Sequence, residues 1–192
     1  KTEGWDYTRS VPVHRLSELT CGVIGLGRIG REFAKRAHAL GMKVIGYDPY
    51  FTPGEEFSFV EQVDLDDLMG RSDVISVHCP PEHAMDMFNK DAFARMKDTA
   101  YLINVARGGI VNEADLEVAL TEGQIAGAAL DCMENEPAAP GNPLFAHENL
   151  LVTPHMAWYS EEAADELNTK VAEEAVAFAC GEPIRYPVNH LD

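Results

Sequence analysis

The sequence predicts an α/β protein built on a doubly wound parallel sheet of seven strands, and three observations carry that prediction. Short β-branched and aliphatic runs alternate with helical patterns, as βαβ units require. Several of these runs are apolar at every position, as expected for strands covered by helices on both faces. The first run ends in GLGRIG, a glycine pattern that turns a strand into a helix. At 192 residues and 46% hydrophobic, the chain can build one domain with its own core.

Taken in order, the strands are expected at residues 21–25, 43–47, 57–60, 74–78, 101–105, 126–130 and 150–152. Between the first two, Ile29, Phe33, Ala37 and Leu40 recur at helical spacing and Gly41 supplies the stop. Asn112, with Asp115 three residues on, forms a capping arrangement ahead of Leu116 and Leu120. Residues 134–143, ENEPAAPGNP, read as a loop because three prolines and a glycine forbid regular structure. The last helix is expected at 160–180, with Ala164, Leu167, Val171, Ala175 and Phe178 on one face and Gly181 at its end. After it, GEPIRYPVNHLD is interrupted by prolines and cannot continue the helix.

A formal net charge of −17 opposes phosphate backbones and anionic lipid surfaces, so neither nucleic acid nor membrane is an expected partner. There is no apolar run long enough to span a bilayer and no secretory pattern at the start. Cys21, Cys79, Cys132 and Cys180 lie far apart without a CxxC, which points to reduced thiols in the cytoplasm and no metal site.

CGVIGLGRIGREF places Gly25, Gly27 and Gly30 in a GxGxxG pattern between strand and helix, so the predicted sheet is of the Rossmann type. Gly25 allows the tight turn, Gly27 the approach of a pyrophosphate, and Gly30 close packing of helix on strand. Eighteen residues after Gly30 the second strand ends at Asp48, whose carboxylate can accept from both adenosine ribose hydroxyls and repels a 2′-phosphate. With Pro49 and Tyr50 following rather than arginine, the expected cofactor is NAD.

Ligands in such folds meet the protein beyond the carboxyl ends of the strands. Three charged residues stand there: Arg107 after YLINVA, Glu136 beyond AGAALD, and His155 beyond LLV. Singly, each has an ordinary explanation as a solvated or structural side chain. Together they supply what hydride transfer to a carbonyl asks of a protein. Imidazole can move the hydroxyl proton, a neighbouring carboxylate fixes its tautomer and favours its charged form, and guanidinium matches the carboxylate of a 2-oxo acid.

Four segments in register, VIGLGRIG, INVARGGIVNEADL, GAALDCMENEP and TPHMAWYS, closely resemble the nucleotide-binding domain of the D-isomer-specific 2-hydroxyacid dehydrogenases. The similarity runs over residues 16–188. It implies a catalytic set of Arg107, Glu136 and His155. It also implies that Asp131 contacts the nicotinamide amide while Arg28, Ile29, Cys79, Val105 and Ala106, with Arg107 and His155, line the cofactor. The form HMAWYS resembles the branch that includes the C-terminal-binding-protein corepressors, which places Trp158 as a wall of the substrate pocket and Pro154 as a brace for His155.

HCPPEHAMDMFN is one residue shorter than the corresponding family loop, so no contact is carried over to residues 82–85. The resemblance also implies that most of a second, substrate-binding domain precedes Lys1, and that the chain, which opens without methionine, is a piece of a longer polypeptide. On that reading 1–15 is a linker or hinge, 16–180 the NAD-binding domain and 181–192 a tail toward the missing part. The expected activity is hydride transfer between NAD(H) and a small 2-hydroxy or 2-oxo acid, in a homodimer formed through this domain. The alternative is an NAD-sensing, corepressor-like assembly protein with little turnover.

Overall fold

A computed structural model describes Asp6, Thr8 and residues 11–187. The chain divides into two compact units, Lys1–His155 and Met156–Asp192. The expected hinge at 1–15 and tail at 181–192 fall partly outside the described residues.

In the first unit, seven strands form one sheet: β1 (Thr20–Ile24), β2 (Lys43–Tyr47), β3 (Val60–Gln62), β4 (Val74–Val77), β5 (Tyr101–Asn104), β6 (Gly127–Leu130) and β7 (Leu150–Val152). Their order is β3-β2-β1-β4-β5-β6-β7, and every neighbouring pair is parallel. The order reverses between β1 and β4, which opens a crevice beyond the carboxyl ends of those two strands. Four helices pack between the strands: α1 (Arg28–Ala39), α2 (Leu65–Arg71), α3 (Lys90–Phe93) and α4 (Glu113–Thr121).

Most strand boundaries agree with the sequence to within a residue. The exception is the run expected at 57–60. Residues Glu55–Phe57 instead form a short 3-10 turn, and the strand lies at Val60–Gln62, with Val60 opposite Val44. Aromatic density produced the misreading. Phe57 is buried and meets Phe51 edge-on at 5.8 Å and Phe59 at 5.9 Å. It plugs the core from a turn rather than pairing in a ladder.

Alternation along the strands divides the core between the two faces of the sheet. Cys21, Val23, Ala34, Ala37, Val44 and Val60 pack together on the α1 side. Ile24, Leu68, Ile75, Phe93, Leu102, Leu116 and Leu130 belong to the larger cluster formed with α2, α3 and α4. Close approach of α2 to β1 depends on Gly22, where an added Cβ would lie 2.3 Å from Ser72 Oγ.

The second unit carries α5 (Glu161–Ala179), capped by Ser160, whose hydroxyl accepts the Ala163 N–H. Arg185 returns to this helix through an ion pair with Glu173 and a backbone N–H donated to Glu174. The apolar face read from the sequence is not a buried one. Leu167, Val171 and Phe178 are exposed, and Ala177 is the helix's buried residue.

Candidate active site

Each of α2, α3, α4 and α5 begins with a side chain that accepts one of the helix's unpaired N–H groups. At α1 that position is Gly27, with no side-chain bond. The free N–H groups and positive end of this helix therefore face the crevice beyond β1, which suits a phosphate. A Cβ on Gly27 would meet nothing within 4 Å, so the glycine keeps space clear rather than avoiding a neighbour. Gly30 differs: its added Cβ would sit 1.9 Å from the Gly25 carbonyl oxygen, so only glycine lets α1 lie this close to β1. Gly25 turns the chain at φ +86° against the backbone of Cys79. Arg28 opens the helix and faces a shallow hollow with Arg31, Lys35 and Glu56.

Asp48 is fixed at the end of β2 by two backbone donors. Leu26 N–H reaches Oδ2 at 2.7 Å and Tyr50 N–H reaches Oδ1 at 2.8 Å. The carboxylate forms one edge of a cleft of about 210 Å³ lined by Gly25, Gly27, Pro49, Tyr50, Cys79, Pro80 and Met87. A small apolar cleft with a carboxylate at its rim and a phosphate seat at its floor has the chemistry of an adenosine site. His78 borders it. Burial lowers the pKa of this ring to about 4, so it is neutral at ordinary pH, held by Ser76 Oγ at 2.9 Å and stacked obliquely on Phe33. Burial likewise pushes the Cys79 thiol up to about 11, leaving an unreactive wall.

A second cleft of about 370 Å³ continues from His78 and Cys79 to Ile29, Val105, Ala106 and Arg107. Ile29 is 72% exposed at its edge, an apolar side chain set where a planar ring could cover it. The loop bearing Arg107 is organised by Asn104, which is buried in β5. Its amide nitrogen donates to the Arg107 carbonyl at 2.9 Å and its oxygen accepts the Ala106 N–H at 3.0 Å. Gly108 then packs on the loop after β6, where a Cβ would lie 1.9 Å from the Met133 carbonyl oxygen. The short loop after β4 is tied to the same place. Asp86 N–H donates to Gly109 O at 2.8 Å, and Asn112 donates to the Asp86 carboxylate at 2.9 Å.

At the ends of β6 and β7, Asp131, Glu136 and His155 are joined. The Thr153 hydroxyl donates to Asp131 Oδ1 at 2.5 Å, and the His155 N–H reaches the Asp131 carbonyl oxygen at 2.8 Å. These bonds hold His155 at φ +51°, a left-handed conformation that a non-glycine residue keeps only when its surroundings impose it. Its Nδ1 lies 2.8 Å from Glu136 Oε2, and Glu136 Oε1 accepts the Met133 N–H at 3.0 Å. The His155 ring first, and the Met133 N–H next, hold the Glu136 carboxyl below the usual carboxylate range. The Nδ1 side of the imidazole is thereby fixed against the carboxylate. Both side chains are about two-fifths exposed, and Asp131, Glu136 and His155 border a cleft of about 470 Å³.

The family description "D-isomer specific 2-hydroxyacid dehydrogenase, NAD binding domain" matches residues 1–157. The chain belongs to this family. Among curated relatives of this dehydrogenase domain, it is 45% identical to a D-3-phosphoglycerate dehydrogenase of Archaeoglobus fulgidus, over 88% of its own length and 33% of the relative's. It is 40% identical to a hydroxypyruvate reductase of Blautia hydrogenotrophica, over 94% and 55% respectively. Among solved structures, a D-lactate dehydrogenase with NAD+ from Lactobacillus jensenii superposes with a TM-score of 0.86 at 31% identity, covering 94% of this chain and 58% of that one. The dehydrogenase domain thus spans between a third and three fifths of the length of these relatives.

The cofactor of this dehydrogenase domain is NAD, and the uncapped start of α1, the open space at Gly27 and the fixed Asp48 fit it. The structure brings Gly25, Gly27, Asp48 and Cys79 to one cleft, and Ile29, Cys79, Val105, Ala106 and Arg107 to the next. Asp131 is buried against Thr153, and Trp158 belongs to the second unit, where it meets Tyr159 edge-on at 5.5 Å. Sequence reasoning missed Asn104, Thr153, His78 and the Met133 N–H. Asn104 ends its strand in an otherwise apolar run, the one signal that could have marked it.

Proposed function

We propose that this domain is the cofactor-binding half of an enzyme that transfers hydride between NAD(H) and C2 of a small 2-hydroxy or 2-oxo acid. The observation that carries the reading is the His155–Glu136 pair at the end of β7, with Arg107 at the end of β5 and one strand between them. NADH, when bound, supplies the hydride. His155 gives its proton to the carbonyl oxygen during reduction and takes it back during oxidation. Glu136 orients the imidazole and stabilises its cationic form, while Arg107 pairs with the substrate carboxylate and draws charge toward the reacting carbonyl. Asp131 meets the nicotinamide amide.

The curated relatives named for hydroxypyruvate, glycerate and D-3-phosphoglycerate support a short 2-hydroxy acid as substrate. Homodimerisation through this domain and a cytoplasmic setting belong to the same proposal. Four thiols free of disulfides are in keeping with the cytoplasmic setting, and among the described residues no helix is long and apolar enough to cross a membrane. The corepressor-like alternative draws on Trp158 and Tyr159 alone.

The test follows NADH oxidation by the full-length protein against a panel of 2-oxo acids that includes hydroxypyruvate, beside a His155→Ala variant. Turnover that the variant loses while it still binds NADH is the expected result. Tight NADH binding with no turnover on any acid would overturn the reading.

A further inference from the structure

We propose that Cys132, Glu136 and His155 form a binding site for a thiophilic divalent cation of the zinc class, whose occupation stops proton transfer by His155. One ligand atom from each of the three side chains lies within 4.8 Å of the others. Sulfur, carboxylate oxygen and imidazole nitrogen are the donors zinc prefers, at roughly 2.0–2.3 Å, so the cluster closes on an ion with a small contraction and leaves a fourth position for water. No sequence spacing announces this set, because the loop after β6 supplies two members and the loop after β7 the third.

Two of the three ligands are already held in place. Glu136 is anchored through Oε1 by the Met133 N–H, and His155 by its backbone bonds to Asp131 O and Thr153 O. Cys132 is buried, with Sγ 3.4 Å from the Ala106 carbonyl oxygen, a weak bond that a metal replaces once it has displaced the thiol proton, which burial holds with a pKa of about 11. The half-exposed Glu136 and His155 give the cation a path from solvent. Binding releases the thiol proton, and the cation takes the place of the Nδ1–Oε2 hydrogen bond, the Nδ1 proton passing to solvent or to the other ring nitrogen. The consequence for activity rests on the reading of His155 as the proton donor, since an imidazole ligated in place of that bond has lost the carboxylate that supports its charged form. The site itself does not rest on that reading.

Cobalt is the probe, titrated into this chain in the absence of NADH. A saturable thiolate-to-cobalt charge-transfer band at one equivalent is expected, displaced by zinc. It survives Cys180→Ser, which removes the exposed cysteine, and is lost in Cys132→Ser. Glu136→Gln, a second variant with the thiol intact, weakens binding by about tenfold or more. No band, or a band of equal affinity in folded Cys132→Ser, overturns the site. In the full-length protein, zinc inhibition of NADH oxidation that a chelator reverses and Cys132→Ser abolishes is expected. Zinc bound at the cobalt site without inhibition overturns the switch. Because the band is read without turnover, its failure is distinct from failure of the hydride-transfer reading.

Discussion

Oε2 of Glu136 lies 2.8 Å from Nδ1 of His155 while Oε1 of the same carboxylate accepts the Met133 N–H. Both oxygens are therefore acceptors, and a glutamine has only one. In Glu136→Gln, either the Met133 N–H or the imidazole Nδ1–H faces an amide NH2. The variant of the full-length protein is expected to lose roughly 10²-fold in kcat for reduction, with NADH affinity unchanged. Stopped-flow NADH oxidation beside a fluorescence titration reads both, and an unchanged kcat would remove Glu136 from the chemistry.

The same pair sets a pH dependence. Glu136 has its pKa lowered in the fold, so the pairing is present above the ordinary carboxylate range and is lost as pH falls through the lowered value. Reduction of a 2-oxo acid by NADH consumes a proton and the reverse reaction releases one, so kcat/KM is expected to fall with rising pH for reduction and to rise for oxidation. Parallel profiles in the two directions would contradict His155 as the group that carries the proton.

Asp48 is anchored by Leu26 and Tyr50 N–H groups, which aims its carboxylate before any ribose arrives. Asp48→Ala removes charge-assisted bonds worth about 1.5–3 kcal/mol, so NADH affinity is expected to fall by roughly 10- to 100-fold. Asp48→Asn keeps the size and removes the repulsion of a 2′-phosphate, while its amide NH2 faces one of the two anchoring N–H groups, so it should narrow the preference for NADH over NADPH and weaken both. Calorimetry with both cofactors decides, and an unaltered preference would mean that other groups discriminate between them.

Much of this was legible in the sequence because it is local. The glycine turn, Asp48 and the Asn112 cap are set by short-range chemistry, and parallel strands with apolar faces announce themselves. Arg107, Glu136 and His155 could be placed at strand ends from the chain order, and in the fold His155 Nδ1 lies 2.8 Å from Glu136 Oε2. What stayed hidden depends on pairs far apart in the chain. The tie from Thr153 to Asp131, the contact of Gly108 with Met133 and the burial that neutralises His78 come from strand order, which no short stretch encodes. Phe57 misled because a buried aromatic has the same composition in a turn as in a strand. The apolar stripe of α5 lies in the expected helix, but periodicity shows that a face exists and does not say how far it is buried.

Asp73 links β1 to the entry of β5. It accepts the Thr20 N–H and the Lys97 ammonium, each at 2.7 Å. Burial works against its charge, yet the Lys97 and Thr20 donors outweigh it and the pKa is lowered. A lowered carboxylate contributes stability above its unfolded pKa of about 3.9, and that contribution is lost as pH falls through the folded value. Wild type is therefore expected to exceed Asp73→Asn in urea midpoint at neutral pH, with the two curves converging in acid. A constant difference at every pH would show that shape rather than charge matters at this position.

Gly27 and Gly30 stand three residues apart in the same motif and should fail in opposite ways. At Gly30 a methyl group would fall 1.9 Å from the Gly25 carbonyl oxygen, a backbone atom that cannot move without shifting α1. Gly30→Ala is thus expected to destabilise the fold by about 1–3 kcal/mol or more, read as a lower urea midpoint. At Gly27 nothing lies within 4 Å and the backbone conformation is one that alanine adopts, so Gly27→Ala should leave that midpoint nearly unchanged. Its methyl group instead stands in the space beside the uncapped start of α1, where the pyrophosphate must approach, and NADH affinity should drop by at least roughly tenfold. If Gly27→Ala bound NADH normally, the phosphates would have to sit away from this helix end, and the cleft beside Asp48 would need another occupant.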